Sequence, residues 1–111
     1  MSIKASFRSS GKRNKQTYRV KVCELCNISN IDEVYDLLQE NLKLPLYFGR
    51  NLDALYDSLS TDVKGPFKII WLDHASSASV LGELYYEGLI DIFRAVASER
   101  DDVVLVLEPV A

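Results

Sequence analysis

Two short apolar runs restrict the possible folds of this chain more than any other feature of its sequence. Residues 67–72 read FKIIWL, and residues 103–107 read VVLVL. Runs of this length with almost no polar residue are typical of parallel strands that are covered on both faces. Between them, the spacing of apolar residues predicts a short helix over 74–82 and a longer one over 84–98. A helical crossover therefore joins two parallel strands.

The first half of the chain predicts a third strand and two further helices. Residues 18–22 alternate between apolar and polar, as a strand does. Asn30 is a good cap for a helix over 31–42, and Asn51 can cap another from 52 to about 61. The sequence thus predicts an α/β fold, with a small three-stranded parallel sheet packed with about four helices.

Charge is distributed unevenly along the chain. Residues 1–22 hold seven cations and no carboxylate, whereas residues 23–111 hold six cations and sixteen carboxylates, a net charge of −10. An acidic body repels nucleic acid and attracts basic proteins, so no direct nucleic-acid binding is expected. The carboxylates could also be spread evenly and serve only solubility, and composition alone leaves both interpretations open.

The basic N-terminal extension, residues 1–17, is expected to precede a single domain over 18–111. Residues 2–8 alternate weakly, which fits an extra antiparallel edge strand or a loose basic arm, and such an arm could bind nucleic acid. The composition of residues 1–22, which are basic and free of carboxylates, is shared with organellar transit peptides. The chain has no apolar signal-peptide core and no membrane-spanning run, so the cytoplasm is the expected compartment.

Two groups of reactive side chains suggest chemistry without completing a site. Cys23 and Cys26 have the spacing of a redox dithiol, but such dithiols normally lie at a helix N-terminus. With His74 as the single histidine, a four-ligand zinc site is also incomplete. Asp73 and His74 precede nearby serines, yet adjacent residues do not orient each other as a triad requires. The sequence therefore predicts a protein that is not an enzyme and holds no metal or cofactor, with a thioredoxin-like redox protein as the alternative.

The segment 44–62, LPLYFGRNLDALYDSLSTD, combines two kinds of helix face. Three leucines, at positions 52, 55 and 59, form an apolar stripe toward the core. Asp53 and Asp57 fall one turn apart on a neighbouring face, together with Tyr56 and Ser60. The helix dipole favours an acid at Asp53 but does not reach Asp57. From spacing alone, Asp57 is either a solvated surface residue or part of a binding face.

The stretch YFGRNLDALYDSL, residues 47–59, resembles the signature of the barstar family, in which an aromatic-Gly-x-Asn loop leads into an LDAL-aromatic-D-x-L helix. The order of the predicted helices and strands over 18–107 is also similar. Members of this family inhibit the guanyl-specific ribonuclease barnase, whose substrate cleft is occupied by the signature helix and its preceding loop. The resemblance implies an immunity protein or antitoxin that binds a basic ribonuclease in a one-to-one complex.

The resemblance also implies which residues make the contact. Asp57 would take the place of a substrate phosphate among the enzyme's basic groups, because a carboxylate accepts charged hydrogen bonds as phosphate does. The matched ribonuclease-binding positions are Tyr47, Asn51, Asp53, Tyr56, Asp57, Ser60 and Glu99. Two positions differ from the family pattern: Asp62 replaces an aromatic contact, and Ala95 replaces an acid. These differences favour a related ribonuclease with a differently charged rim over barnase itself.

Overall fold

Three parallel strands form the centre of the computed structural model, which describes residues 20–108. They are β1 (Lys21–Leu25), β2 (Phe67–Leu72) and β3 (Val103–Glu108), in the order β1-β2-β3. The apolar strand β2 lies in the middle, and Trp71 pairs with Leu25 on one side and with Leu107 on the other. The predicted parallel sheet is confirmed.

Four α-helices accompany the sheet, also as predicted. They are α1 (Ile31–Leu42), α2 (Leu52–Asp57), α3 (His74–Leu81) and α4 (Glu83–Glu99). A π-helical segment, Ser58–Asp62, continues α2, so the helical stretch has its predicted extent but changes its hydrogen bonding halfway. No helix within residues 20–108 is long and apolar enough to cross a bilayer.

Side-chain caps begin α1 and α2 at the predicted residues. Asn30 Oδ1 accepts a 2.9 Å hydrogen bond from the Glu33 amide, and Glu33 accepts one of 2.7 Å from the Ser29 amide. Asn51 caps α2 in the same way. Each cap satisfies amide groups that the first turn of a helix leaves without partners, which fixes the point where the chain turns into the helix.

The first strand lies three residues later than predicted. The sequence favoured residues 18–22 because Val20 and Val22 alternate with basic residues, but these valines are about half exposed. Cys23 and Leu25 are fully buried instead. Both pairs of residues alternate as in a strand, and only the packing of helices on the sheet decides which pair faces the core.

The prediction that the strands are covered on both faces is wrong for the described residues. In β2, the residues Phe67, Ile69 and Trp71 are buried, whereas those between them are only partly buried. On the opposite face Val22 and Val104 are 44% and 48% exposed. A continuous apolar run does not reveal this asymmetry, because apolar residues also occupy half-exposed strand positions.

The core lies between the covered face of the sheet and the helices. Trp71 is fully buried and contacts Phe93 and Tyr86 of α4 edge to face, with ring centroids 5.9 and 5.6 Å apart. Leu55 and Leu59 are also fully buried, so the apolar stripe of the signature helix faces the core as predicted. Its opposite side is left for solvent or a partner. The basic extension 1–17, and with it the prediction of an edge strand or a loose arm, lies outside the described residues.

Candidate protein-binding face

The loop 43–51 presents two large apolar side chains to solvent. Leu46 and Tyr47 are 97% and 82% exposed. Next to them, Phe48 is buried and packs edge to face against Tyr35 of α1, with centroids 5.6 Å apart. An exposed aromatic residue on an anchored loop suits a protein interface, because it offers a large contact area and few torsions to immobilise. Tyr47, a predicted contact residue, is accessible to a partner.

Arg50 fixes the end of this loop to α1. Its guanidinium donates a 2.9 Å hydrogen bond to Asp36 Oδ1 and longer ones to the Asp32 carbonyl and Gln39 Oε1. It also lies over the Tyr35 ring, 5.5 Å from the centroid. The backbone of Arg50 has a φ of 53°, in the left-handed region, which costs a non-glycine residue about 1 kcal/mol. The side-chain contacts offset that cost.

Asn51 begins α2, and two carboxylates follow on its exposed side. Asn51 Oδ1 accepts a 2.8 Å hydrogen bond from the Ala54 amide, and its Nδ2 donates to the Gly49 carbonyl at 3.2 Å. Asp53 and Asp57 are both exposed, and neither has an ion-pair partner within the described part of the chain. The predicted exposure of this acidic face is confirmed. Two neighbouring like charges without a counter-ion create a negative potential along it.

Arg100 holds the other end of the helical stretch. Its Nη1 donates to the carbonyls of Leu59 at 2.7 Å and Val63 at 2.8 Å, while Nε and Nη2 donate to the two carboxylate oxygens of Asp102. These bonds from Arg100 hold the pKa of the Asp102 carboxyl below its usual range. The Arg100 side chain is only 18% exposed. It satisfies carbonyls at a helix end that would otherwise have no partner.

Tyr56 and Glu99 join α2 to α4 across the face. The Tyr56 hydroxyl lies 2.8 Å from both carboxylate oxygens of Glu99. This hydrogen bond raises the pKa of the Tyr56 hydroxyl above its usual range. The two predicted contact residues are therefore in contact with each other, although 43 positions separate them in the sequence. Glu99 orients the Tyr56 ring as well as carrying charge.

The remaining predicted position, which lies in the π-helical segment, and the two divergent positions have different surroundings. Ser60 is partly buried, and its Oγ has no hydrogen-bond partner within residues 20–108. Ser60 is thus less exposed than Asp53 and Asp57. Helical spacing places the three residues on one face only in a regular α-helix, and the chain is π-helical after Asp57. Asp62 is exposed, whereas Ala95 is partly buried on α4.

The two cysteines lie in environments that do not suit dithiol chemistry. Cys23 is fully buried in β1, and burial raises the pKa of its thiol to about 12. Cys26 is exposed, and both thiols are free. A redox dithiol needs an accessible thiol with a depressed pKa. No group of metal-ligating side chains that could hold an ion occurs in the described range.

The residues around Asp73 and His74 form three separate pairs. Asp73 accepts a hydrogen bond from Ser76, at 2.8 Å, and His74 is hydrogen-bonded to the Tyr86 hydroxyl. Ser77 Oγ accepts the 3.2 Å bond from the buried Trp71 indole. None of these contacts joins a serine to the histidine. A Ser-His-Asp chain of the hydrolase kind is therefore not assembled here.

Sequence reasoning missed the two arginines that hold the face in shape. Arg50 occupies a variable position of the signature motif, and Arg100 lies 41 residues beyond Leu59, whose carbonyl it contacts. No local pattern marks either one as structural, since Lys and Arg at such positions normally remain in solvent. The positive φ of Arg50 is visible only in the fold.

Comparison with known proteins identifies the family of this chain. The family model described as Barstar (barnase inhibitor) matches residues 18–108. A relative from Bacillus subtilis (strain 168), named "Putative ribonuclease inhibitor YrdF", is 30% identical over 83 residues, which are 74% of this chain and 90% of that protein. The match includes the loop 43–51, α2 and α4. The chain belongs to the barstar family.

Proposed function

We propose that this protein inhibits a basic ribonuclease of the barnase type by placing α2 and the loop 43–51 into its active site. The observation that carries the proposal is the acidic face of α2, where Asp53 and Asp57 are exposed without a counter-ion in the described structure. Family membership and a relative named as a ribonuclease inhibitor support the same class of partner. The protein itself contributes no catalysis.

Asp57 is the proposed centre of the contact. An enzyme that cleaves RNA collects cations around the scissile phosphate, and these cations are left without a counter-charge when a protein excludes water from the cleft. A carboxylate on a rigid helix satisfies them by accepting charge-assisted hydrogen bonds. Asp57 is suited to this role because the helical stretch 52–62 is fixed at both ends, by Asn51 and by Arg100. Little conformational entropy is then lost on binding.

The other contact residues have supporting roles in the proposal. Tyr47 and Asn51 cover the cleft from the loop, and Asp53, Tyr56 and Ser60 surround Asp57 on the helix. Glu99 contributes charge at the rim while it holds Tyr56. The net charge of −10 on residues 23–111 steers a cationic enzyme toward this face, so association should be fast and should slow steeply as salt rises.

The proposed setting is the cytoplasm of a cell that makes the ribonuclease, with one inhibitor bound to each enzyme molecule. Asp62 and Ala95 differ from the family pattern, so the natural target is expected to be a relative of barnase with a different rim. A role as an immunity protein or antitoxin follows if that ribonuclease is encoded beside this chain.

An inhibition assay with Asp57→Ala tests the proposal. Wild-type protein is titrated into barnase, and into a basic ribonuclease encoded next to its gene, while cleavage of a fluorogenic RNA is followed. The wild type is expected to inhibit at least one of them stoichiometrically. Asp57→Ala should weaken that complex by about 2–5 kcal/mol or more, mainly through faster dissociation. Its stability should change by less than about 0.5 kcal/mol, because the side chain is exposed.

Two controls decide how the result is interpreted. Glu24→Ala removes an exposed carboxylate from β1, on the sheet face opposite the buried Cys23 and Leu25, and should inhibit like the wild type. Glu99→Ala should cost less than Asp57→Ala and act more on the association rate and its salt dependence. If the wild type inhibits neither enzyme, or if Asp57→Ala inhibits as well as wild type, the proposed mechanism is wrong.

A further inference from the structure

A stripe along α4 continues the acidic face beyond the residues that match the family signature. Leu84, Gly88, Asp91, Ala95 and Glu99 follow one another at spacings of three or four residues and therefore share one side of the helix. Contacts at two points along this side fix its direction. Gly88 packs against Leu52, and Glu99 is hydrogen-bonded to Tyr56. The stripe thus borders the signature helix at two points, near Leu52 and near Tyr56.

Gly88 and Leu52 form the floor of a groove at the N-terminal end of this stripe. The groove has a volume of about 480 Å³ and is bounded by Leu52, Glu83, Leu84, Glu87, Gly88 and Asp91. A Cβ at Gly88 would come within 2.7 Å of Leu52 Cδ1, so the glycine permits the close approach of α2 to α4. Leu52 is the first residue of α2, so the groove lies beside the first turn of the helix that carries Asp53.

The rim of the groove combines an exposed leucine with three carboxylates. Leu84 is 77% exposed, and Glu83, Glu87 and Asp91 are exposed around it. Among residues 20–108, the ion pairs are those of Arg50 with Asp32 and Asp36 and of Arg100 with Asp102. The three carboxylates at the groove therefore have no cationic partner there. An apolar centre with a negative rim fits the aliphatic stems and charged ends of Lys and Arg side chains.

The size of a stable interface also requires surface beyond α2. A one-to-one complex of standard size covers about 800 Å² on each partner, a patch roughly 28 Å across. The eleven residues of α2 and the π-helical segment span only about 16 Å. From Leu84 to Glu99 the stripe on α4 is about 22 Å long. Together with the loop 43–51, it gives the face the dimensions that such a complex needs.

We infer that the groove between α2 and the first half of α4 is a second docking point for the ribonuclease, which receives a basic, partly aliphatic segment of the enzyme beside its active site. This inference rests on the proposed function, since it assigns the same partner. Leu84 supplies the apolar contact, and Glu83, Glu87 and Asp91 pair with the cations. The contact sets which ribonuclease is bound, because it lies outside the active site that all such enzymes share.

The test measures dissociation constants for the ribonuclease that the wild type inhibits in the assay described above. Leu84→Ala and Glu87→Gln are each expected to weaken binding by about fivefold or more. Each has a matched control outside the face. Val80→Ala removes an exposed apolar side chain from α3, and Glu24→Gln removes an exposed carboxylate from β1, on the sheet face opposite the buried residues. Both controls should bind within about twofold of wild type.

The outcomes separate this inference from the proposed function. If Asp57→Ala loses binding while Leu84→Ala and Glu87→Gln match their controls, the groove assignment alone is wrong. Should the two groove variants bind more tightly than wild type, the groove is occupied by the chain's own basic N-terminal residues, and the inference is overturned. A change from dimer to monomer in Leu84→Ala, with unchanged enzyme binding, would assign the groove to a second copy and overturn it equally.

Discussion

The two ends of the α2 helical stretch are both held by an arginine, but in different ways. At the N-terminal end, Arg50 is 36% exposed and contacts α1 mainly through Asp36, whose side chain is 68% exposed. At the C-terminal end, Arg100 is 18% exposed and donates to two backbone carbonyls and to both oxygens of Asp102. The first set of contacts is solvated, whereas in the second the Arg100 side chain is largely enclosed and Asp102 remains 44% exposed.

This difference implies different roles for the two ends. Exposed ion pairs contribute about 0–1 kcal/mol, because water screens them and two flexible side chains must be ordered. Hydrogen bonds from an enclosed guanidinium to backbone carbonyls are costly to remove, since the carbonyls are left without partners. We therefore expect the π-helical end to be a rigid support for Asp57. The loop with Tyr47 should be able to adjust to the surface of the partner.

Arg100→Leu should have the largest effect on stability. Leucine keeps part of the packing on the Phe67 ring, 5.2 Å from the guanidinium, but it leaves the carbonyls of Leu59 and Val63 unpaired. The free energy of unfolding should fall by about 2–4 kcal/mol. Chemical denaturation followed by Trp71 fluorescence measures it.

Arg100→Lys is the charge-matched control for this change. Lysine keeps the positive charge but cannot make the forked contact with Asp102 and the two carbonyls at once. It should recover less than half of the lost stability. Full recovery would mean that charge, and not the directed hydrogen bonds of the guanidinium, holds the π-helical end.

The same contrast shows what the sequence could and could not predict. Asn30 and Asn51 were identified as caps because a cap and the amide that it satisfies lie three residues apart. Asp53 and Asp57 were placed on the exposed face because helical spacing is local. The contacts of Arg100 with Leu59 and of Tyr56 with Glu99 join residues more than 40 positions apart, and no local pattern encodes them. The side of β1 that faces the core was mispredicted for the same reason, because it depends on helices that are distant in the sequence.

Asp102→Asn should have a smaller effect that depends on pH. Arg100 lowers the pKa of the Asp102 carboxyl in the folded protein, so the interaction stabilises the fold above the ordinary aspartate pKa of about 4 and is lost as pH falls through the lowered value. The variant should melt below wild type near neutral pH, and the two melting temperatures should converge in acid. A difference in melting temperature that stays constant between about pH 7 and pH 2 would contradict this assignment.

Arg50→Ala should have the smallest effect on stability, within about 1 kcal/mol, because its ion pairs are exposed. Arg50→Gly separates the loss of the side-chain contacts from the strain of the backbone. Glycine removes the same side chain but accepts a φ of 53° without strain, so this variant should be more stable than the alanine variant.

The Arg50 variants should change binding in a different way from stability. Without Arg50 the loop that carries Tyr47 has more conformations to lose in the complex, so the dissociation rate should rise by up to about tenfold. In Arg50→Ala the lost cation makes the face more negative, so the association rate should rise slightly. Arg50→Lys keeps the cation, so its association rate should match the wild type while its dissociation rate stays raised. A loss of stability as large as that of Arg100→Leu would show that both ends are equally rigid, and the loop could not then be the adaptable part of the binding face.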